Sequence, residues 1–242
     1  LLRGAADQVL KPAMELGGNA PLIVFEDADL DVAVTGTMLA KMRNLGEACT
    51  AANRIYVHED VAEDFTARLT KAMAALKVGN GIEAGVDVGP LVNAETRDTV
   101  AAFVDDAVSK GAKLHCGGVR PDGPGFFYPP TVLSDVPDNA ECLNDEIFGP
   151  VAALQTFADQ DEVIARANAT EYGLVAYVFS ENMKRGMQVC EQLDFGMVGL
   201  NRGLVSDPAA PFGGTKQSGL GREGAHEGML EFMETQYISA EW

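Results

Sequence analysis

The sequence predicts an α/β fold built on a mostly parallel sheet. Three observations point there: the apolar period switches repeatedly between two and 3.6, strand-like and helix-like segments alternate over most of the chain, and glycine or proline punctuates their ends. Pro21-Leu22-Ile23-Val24-Phe25 is a short apolar run that reads as a buried strand. Asp27 or Asp29 can then cap a helix with Val32, Met38, Leu39 and Met42 at helical spacing. Arg54 to His58 is strand-like, and Val61 to Leu76 is an amphipathic helix with Phe65, Leu69 and Met73 on one face, stopped at Gly79-Asn80-Gly81. Ala94 to Lys110 repeats that pattern with Val100, Phe103 and Val104 inward, closed by Gly111 and followed by a short strand at Lys113 to Cys116. Gly117 to Pro130 reads as a loop or edge region. The alternation resumes with strands at 151–157, 174–179 and 196–200 and helices at 160–168 and 182–193. Six glycines between Gly213 and Gly228 rule out long regular elements there; 229–233 reads as a short helix and 235–242 as a terminal strand that could pair with another subunit.

Composition bounds the function. In 242 residues, 47% are hydrophobic and 22% charged, with no apolar stretch long enough to span a bilayer, so no membrane partner is expected. A net charge of −18, with acidic residues scattered over the chain, gives no basic patch for nucleic acid. Cys49, Cys116, Cys142 and Cys190 are as dispersed as the three histidines, which leaves no closely spaced ligand pairs and no expected metal site. Free thiols without a signal-like start fit a reducing cytoplasm. The opening Leu1-Leu2-Arg3, without Met, reads as a segment cut from a longer protein.

Two residues are candidates for chemistry. Cys49 lies between a helix and a strand, among Gly46, Ala48, Thr50, Ala51 and Ala52. Small neighbours suit a thiol that a substrate must approach closely, and backbone N–H groups could lower its pKa; the competing reading is a small buried hydrophobe. Glu15, in Met14-Glu15-Leu16-Gly17-Gly18-Asn19, could be desolvated enough to act as a general base, against a reading as a solvated turn acid.

Taken together, these motifs and two others form a pattern. Glu15-Leu16-Gly17-Gly18-Asn19, Cys49 in its small-residue turn, Glu146-Ile147-Phe148-Gly149-Pro150-Val151, and Pro211-Phe212-Gly213-Gly214-Thr215-Lys216 running to Glu223 occur in the order found in aldehyde dehydrogenases. The chain resembles the C-terminal half of that superfamily from end to end. The resemblance implies a catalytic domain with helices on both faces of its sheet and a C-terminal oligomerisation strand. It divides the chain into a remnant of the cofactor-binding domain (1–17), the catalytic domain (18–228) and an oligomerisation segment (229–242), and it implies a homo-oligomer, dimer or tetramer. It makes Cys49 the nucleophile, Glu15 the general base, Glu146 the acceptor for the nicotinamide-ribose hydroxyls and Phe148 the aromatic beside that ribose. The cofactor is then NAD or NADP and the partner a small-molecule aldehyde. No Gly-x-Gly-x-x-Gly fingerprint follows a strand in these residues, and in the family the cofactor-binding domain precedes Glu15. The glycine-rich segment is no phosphate loop, since Gly does not stand directly before Lys216 nor Ser or Thr directly after it.

The substrate is narrowed by Arg43, a guanidinium close before Cys49 that suits a two-pronged grip on a carboxylate. Arg43 and Ser206 make the chain resemble succinate-semialdehyde dehydrogenases in particular. The competing reading of Arg43 is a surface residue paired with Glu47. The chain departs from the usual pattern at three places: Glu47 and Ala48 before the nucleophile, Ala51 where some members carry a second cysteine, and Asp207-Pro208 in the substrate loop. Glutarate semialdehyde or a broad range of aldehydes are the alternative substrates, and a fragment that folds without activity is the alternative to an enzyme.

Overall fold

Pro-Leu-Ile-Val carries no polar residue on either side because both faces are covered: β1 (Ala20–Val24) is buried at every position, as a central parallel strand must be. The computed structural model describes residues 1–242. After β1 comes α1 (Leu30–Met42), capped by Asp29, whose Oδ1 accepts from the N–H groups of Asp31 and Val32 at 2.9 and 3.1 Å. Asp27, the other candidate cap, instead accepts from Ser180, Asn182 and Arg185 and ties the end of β1 to a distant loop.

The chain continues through β2 (Ala52–His58), α2 (Glu59–Ala74), α3 (Ala94–Ser109), β3 (Lys113–Cys116), β4 (Thr131–Ser134) and β5 (Val151–Phe157). It closes the sheet with α4 (Gln160–Asn168), β6 (Val175–Phe179), α5 (Met183–Gln192) and β7 (Met197–Leu200). The strands form one sheet in the order β3-β4-β5-β2-β1-β6-β7, parallel throughout except for β3, which runs antiparallel to β4. Helices cover both faces. Leu22, Val24, Ile55 and Val57 face α1 and α2 through Ala33, Ala40, Phe65, Leu69 and Met73. Their alternates Ile23, Tyr56 and Val178 face α4 and α5 through Val163, Ile164 and Val189, while Leu133 and Ala153 on that same side meet Val100 and Phe103 of α3.

Four expectations are corrected. β4 was read as no strand, because four residues between Pro130 and Asp135 are too few to show a period. α2 begins at Glu59, with the His58 ring accepting from the Asp60 N–H, and ends two residues early at Ala74. The last helix is Ala225–Leu230 rather than 229–233. Residues 235–242 form no strand within the chain: Tyr237, Ile238 and Trp242 stand exposed, because no sheet edge of the same chain reaches them. The glycine-rich segment is held by two short antiparallel ladders, Met14–Glu15 with Gly219–Leu220 and Tyr172–Gly173 with Thr215–Lys216.

Candidate active site

β5, β2 and β1 are adjacent and parallel, so the residues just before each strand lie along one edge of the sheet. Those residues are Glu146–Pro150, Cys49 and Glu15–Asn19. Open α/β sheets commonly bind ligands beyond the carboxyl ends of their strands; this cluster sits at the amino ends.

Cys49 is set by a strained turn. α1 stops at Met42, and Asn44, Leu45 and Gly46 follow with φ of 50°, 60° and 78°. A left-handed residue other than glycine costs about 1–3 kcal/mol and persists only where its surroundings hold it. Here Asn44 Nδ2 donates to the Glu47 carbonyl at 2.8 Å, Arg43 Nη2 to Thr50 Oγ1 at 3.1 Å, and the Tyr177 hydroxyl to the Thr50 carbonyl at 2.9 Å. Glu47 Oε1 accepts from the Val92 N–H at 3.0 Å, so this carboxylate anchors the turn to the loop before α3 and does not pair with Arg43. Gly46 is required twice over, by its positive φ and because a Cβ would collide with the Gly149 carbonyl. Gly18 answers from the neighbouring strand: a Cβ there would collide with the carbonyl oxygen of Cys49 itself.

The Cys49 thiol is half-buried, and burial pushes its pKa above the ordinary 9.0. The negative charges of Glu146 and Glu15 push the same way, and they outweigh the downward pull of its own backbone N–H and of Arg43. The backbone donor does pull this pKa down, as the sequence suggested, but desolvation and two carboxylates outweigh it. Alkylation of Cys49 by iodoacetamide should therefore accelerate as pH rises through neutrality; a plateau near neutrality would contradict this account.

Glu15 has its pKa raised by partial burial, aided by Glu223 and opposed by Arg222. Its Oε1 lies 3.0 Å from where a Cβ on Gly213 would stand, so the glycine-rich segment shapes the base's seat. Glu223 and Arg222 were visible in the sequence, but nothing in their spacing tied them to Glu15. Glu146 Oε1 accepts from the Gly18 N–H at 3.0 Å, while its Oε2 lies 3.0 Å from where a Cβ on Gly17 would stand. Burial raises the Glu146 pKa against the pull of that N–H and of Lys41. Phe148 is exposed and left-handed, with φ of 51°. A partly buried carboxylate with an oxygen to spare, next to an exposed aromatic ring, fits the hydroxyls and edge of a cofactor ribose.

Arg43 is near enough to Cys49 and Tyr177 that both feel its charge. Ser206 is exposed in the loop after β7; its neighbour Val205 packs into the same core cluster as Cys49 and Phe212, and Ser206 makes no hydrogen bond to Arg43. Tyr177 and the fully buried Lys41 were missed as parts of this region, since each reads as an ordinary strand or helix residue. No cluster of three His, Cys, Asp or Glu side chains is arranged to hold a metal ion, and no helix is long and apolar enough to cross a membrane.

The profile of the aldehyde dehydrogenase family matches residues 1–238. The chain is 57% identical over 238 residues to a succinate-semialdehyde dehydrogenase of Paenarthrobacter nicotinovorans, covering 98% of this chain and 53% of that protein. It is 49% identical to a glutarate-semialdehyde dehydrogenase of Pseudomonas aeruginosa, covering 98% and 49%. A crystal structure of an NADP-dependent enzyme of E. coli superposes with a TM-score of 0.96 at 45% identity, covering 98% of this chain and 49% of that one. Relatives of this chain use NAD or NADP. The chain spans about half the length of the curated relatives it matches. With its sheet, its thiol and its carboxylates accounted for, the chain belongs to the aldehyde dehydrogenase family.

Proposed function

We propose that this chain is the catalytic half of an NAD- or NADP-dependent enzyme that oxidises succinate semialdehyde to succinate. The observation that supports it most is the packing of Gly18 on the Cys49 carbonyl, which brings a thiol next to two carboxylates whose charges it feels. Cys49 Sγ gives up its proton to solvent as it adds to the aldehyde carbon, forming a thiohemiacetal whose oxyanion takes a hydrogen bond from the backbone N–H of Cys49. The nicotinamide, when bound, supplies the acceptor for the hydride that leaves this carbon, with Glu146 and Phe148 holding its ribose. A thioester on Cys49 remains. Glu15 takes a proton from the attacking water, the acid leaves, and the thiol is restored; a carboxyl raised by partial burial is suited to that exchange.

Arg43 and Ser206 bind the substrate's own carboxylate. The Arg43 charge is felt at Cys49, which supports a carboxylate held close to the reacting carbon. In the full-length protein, Arg43→Ala should raise KM for succinate semialdehyde by about 10- to 100-fold and leave KM for hexanal within about twofold. Equal effects on both would remove the carboxylate claim and favour a broad-range enzyme. An optimum for glutarate semialdehyde, the substrate named for one relative, would keep the anchor and change the chain length.

The division at residues 17 and 228, cytoplasmic residence and assembly into a dimer or tetramer belong to the same proposal. The exposed apolar tail at Phe232, Met233, Tyr237, Ile238 and Trp242 supports the last of these. The chain by itself, spanning about half of its relatives' length, is then a folded but inactive piece.

A further inference from the structure

Arg43 carries a charge that no acid of this chain answers. Acidic residues outnumber basic ones 36 to 18, and Arg68, Arg97, Arg166 and Arg185 each pair with a carboxylate. Arg43 pairs with none, because Glu47, the acid four residues on, is held by the Val92 N–H. Its one hydrogen bond runs to a neutral group: Nη2 donates to Thr50 Oγ1 at 3.1 Å.

Thr50 is buried and directly follows Cys49. Its backbone is fixed from both sides. The Thr50 carbonyl accepts from the Tyr177 hydroxyl at 2.9 Å, and the Ala51 N–H closes a turn on the Ala48 carbonyl at 2.9 Å. Tyr177 is itself fully buried on β6, and it also meets the loop that carries Ser206. Tyr177 Cδ1 and Val205 Cγ1 each lie 3.1 Å from where a Cβ on Gly199 would stand. The Thr50 hydroxyl is thus a fixed point, while the guanidinium it holds comes from an exposed residue at the start of the strained turn.

An arginine offers five N–H donors on a long, rotatable stem. An untethered Arg43 would have to order that stem at every binding event, and the ordering cost would lower its affinity for a carboxylate. A hydroxyl that accepts one N–H does the ordering beforehand and leaves four donors and the whole charge free. A carboxylate at position 50 would orient the guanidinium too, but would neutralise it and compete with the substrate. We propose that Thr50 is a positioning residue for substrate selection: its Oγ1 holds the Arg43 guanidinium aimed beside Cys49, so that aldehydes bearing a carboxylate are preferred. The inference rests on the carboxylate-binding reading of Arg43 given above.

The test is steady-state kinetics of the full-length protein with succinate semialdehyde and with hexanal. Thr50→Val keeps the shape and removes the hydroxyl. It should raise KM for succinate semialdehyde about five- to tenfold and leave kcat, and KM for hexanal, within about twofold. Thr50→Ser restores the hydroxyl and should stay within about twofold of wild type for both substrates. In an Arg43→Ala background, Thr50→Val should add nothing to the KM for succinate semialdehyde, since the group it aims is gone. If Thr50→Val does not fold, Thr50→Ala removes the same hydroxyl and carries the same expectations. An unchanged KM for succinate semialdehyde, an equal rise for hexanal, a Thr50→Ser protein as impaired as Thr50→Val, or a fully additive effect on Arg43→Ala would overturn the inference alone. If Arg43→Ala itself leaves the KM for succinate semialdehyde unmoved, the carboxylate reading falls, and this inference with it.

Discussion

Cys49→Ala in the full-length protein should lower aldehyde oxidation by at least about 10⁴-fold, because the step it removes is the covalent one. No second thiol is placed to substitute. Cys142 is fully buried with its pKa pushed up to about 11, Cys116 sits at the far edge strand β3, and Cys190 lies on α5. The loss should come without unfolding. Cys49 is only half-buried, and exchange for Ala at such a site costs about 1 kcal/mol or less. Cofactor binding should survive as well, since Glu146 and Phe148 are untouched. A protein that binds its dinucleotide and melts normally but turns nothing over is the expected result, checked by NAD(P)H formation and a thermal melt. Turnover within about tenfold of wild type would exclude Cys49 as the nucleophile.

Glu15→Gln should stop the reaction later. General bases typically contribute about 10²- to 10⁴-fold, and here the loss should fall on hydrolysis of the thioester and not on its formation. One equivalent of reduced cofactor per site should appear quickly, followed by slow or no further turnover. The same substitution has an opposite effect on the thiol. The Glu15 charge helps to hold the Cys49 pKa above 9.0, so its removal lets that pKa drop. Cys49 in Glu15→Gln should therefore be alkylated faster than in wild type at neutral pH, although catalysis is slower. Slower alkylation together with slower turnover would mean that Glu15 activates the thiol, and the assignment of its role would have to change.

The legible part of the fold was the part with a period. β1, β2, β5 and α1 through α5 announce themselves because both faces of the sheet are covered and each helix shows one apolar stripe. β4 has too few residues to show alternation, and the last helix starts at Ala225 after a left-handed Gly224, where no helical stripe exists to read. Residues 235–242 form no strand within one chain for a different reason: a strand exists only where a partner accepts its hydrogen bonds, and the partner expected there is another subunit.

For the site, the motifs identified Cys49, Glu15, Glu146 and Phe148, and the parallel sheet explains why segments so far apart in sequence meet: they precede neighbouring strands. Charge coupling was not legible. That Glu223 and Arg222 oppose each other at Glu15 depends on the turn of a glycine-rich segment. That Lys41 is fully buried, with its Nζ on Asn53, depends on one helix position in α1, where a lysine would ordinarily reach solvent. The paired reading of Arg43 with Glu47 failed because the left-handed turn at Asn44 and Leu45 breaks the helix that would have brought them together.

The most direct test of the account is to mix full-length Glu15→Gln protein with succinate semialdehyde and cofactor, quench, and locate the acyl group by peptide mass spectrometry. The account predicts a succinyl thioester on the peptide containing Cys49, formed in step with one equivalent of reduced cofactor and absent when cofactor is withheld. Reduced cofactor without any adduct on Cys49, or an adduct on Cys116, Cys142 or Cys190 instead, would contradict it.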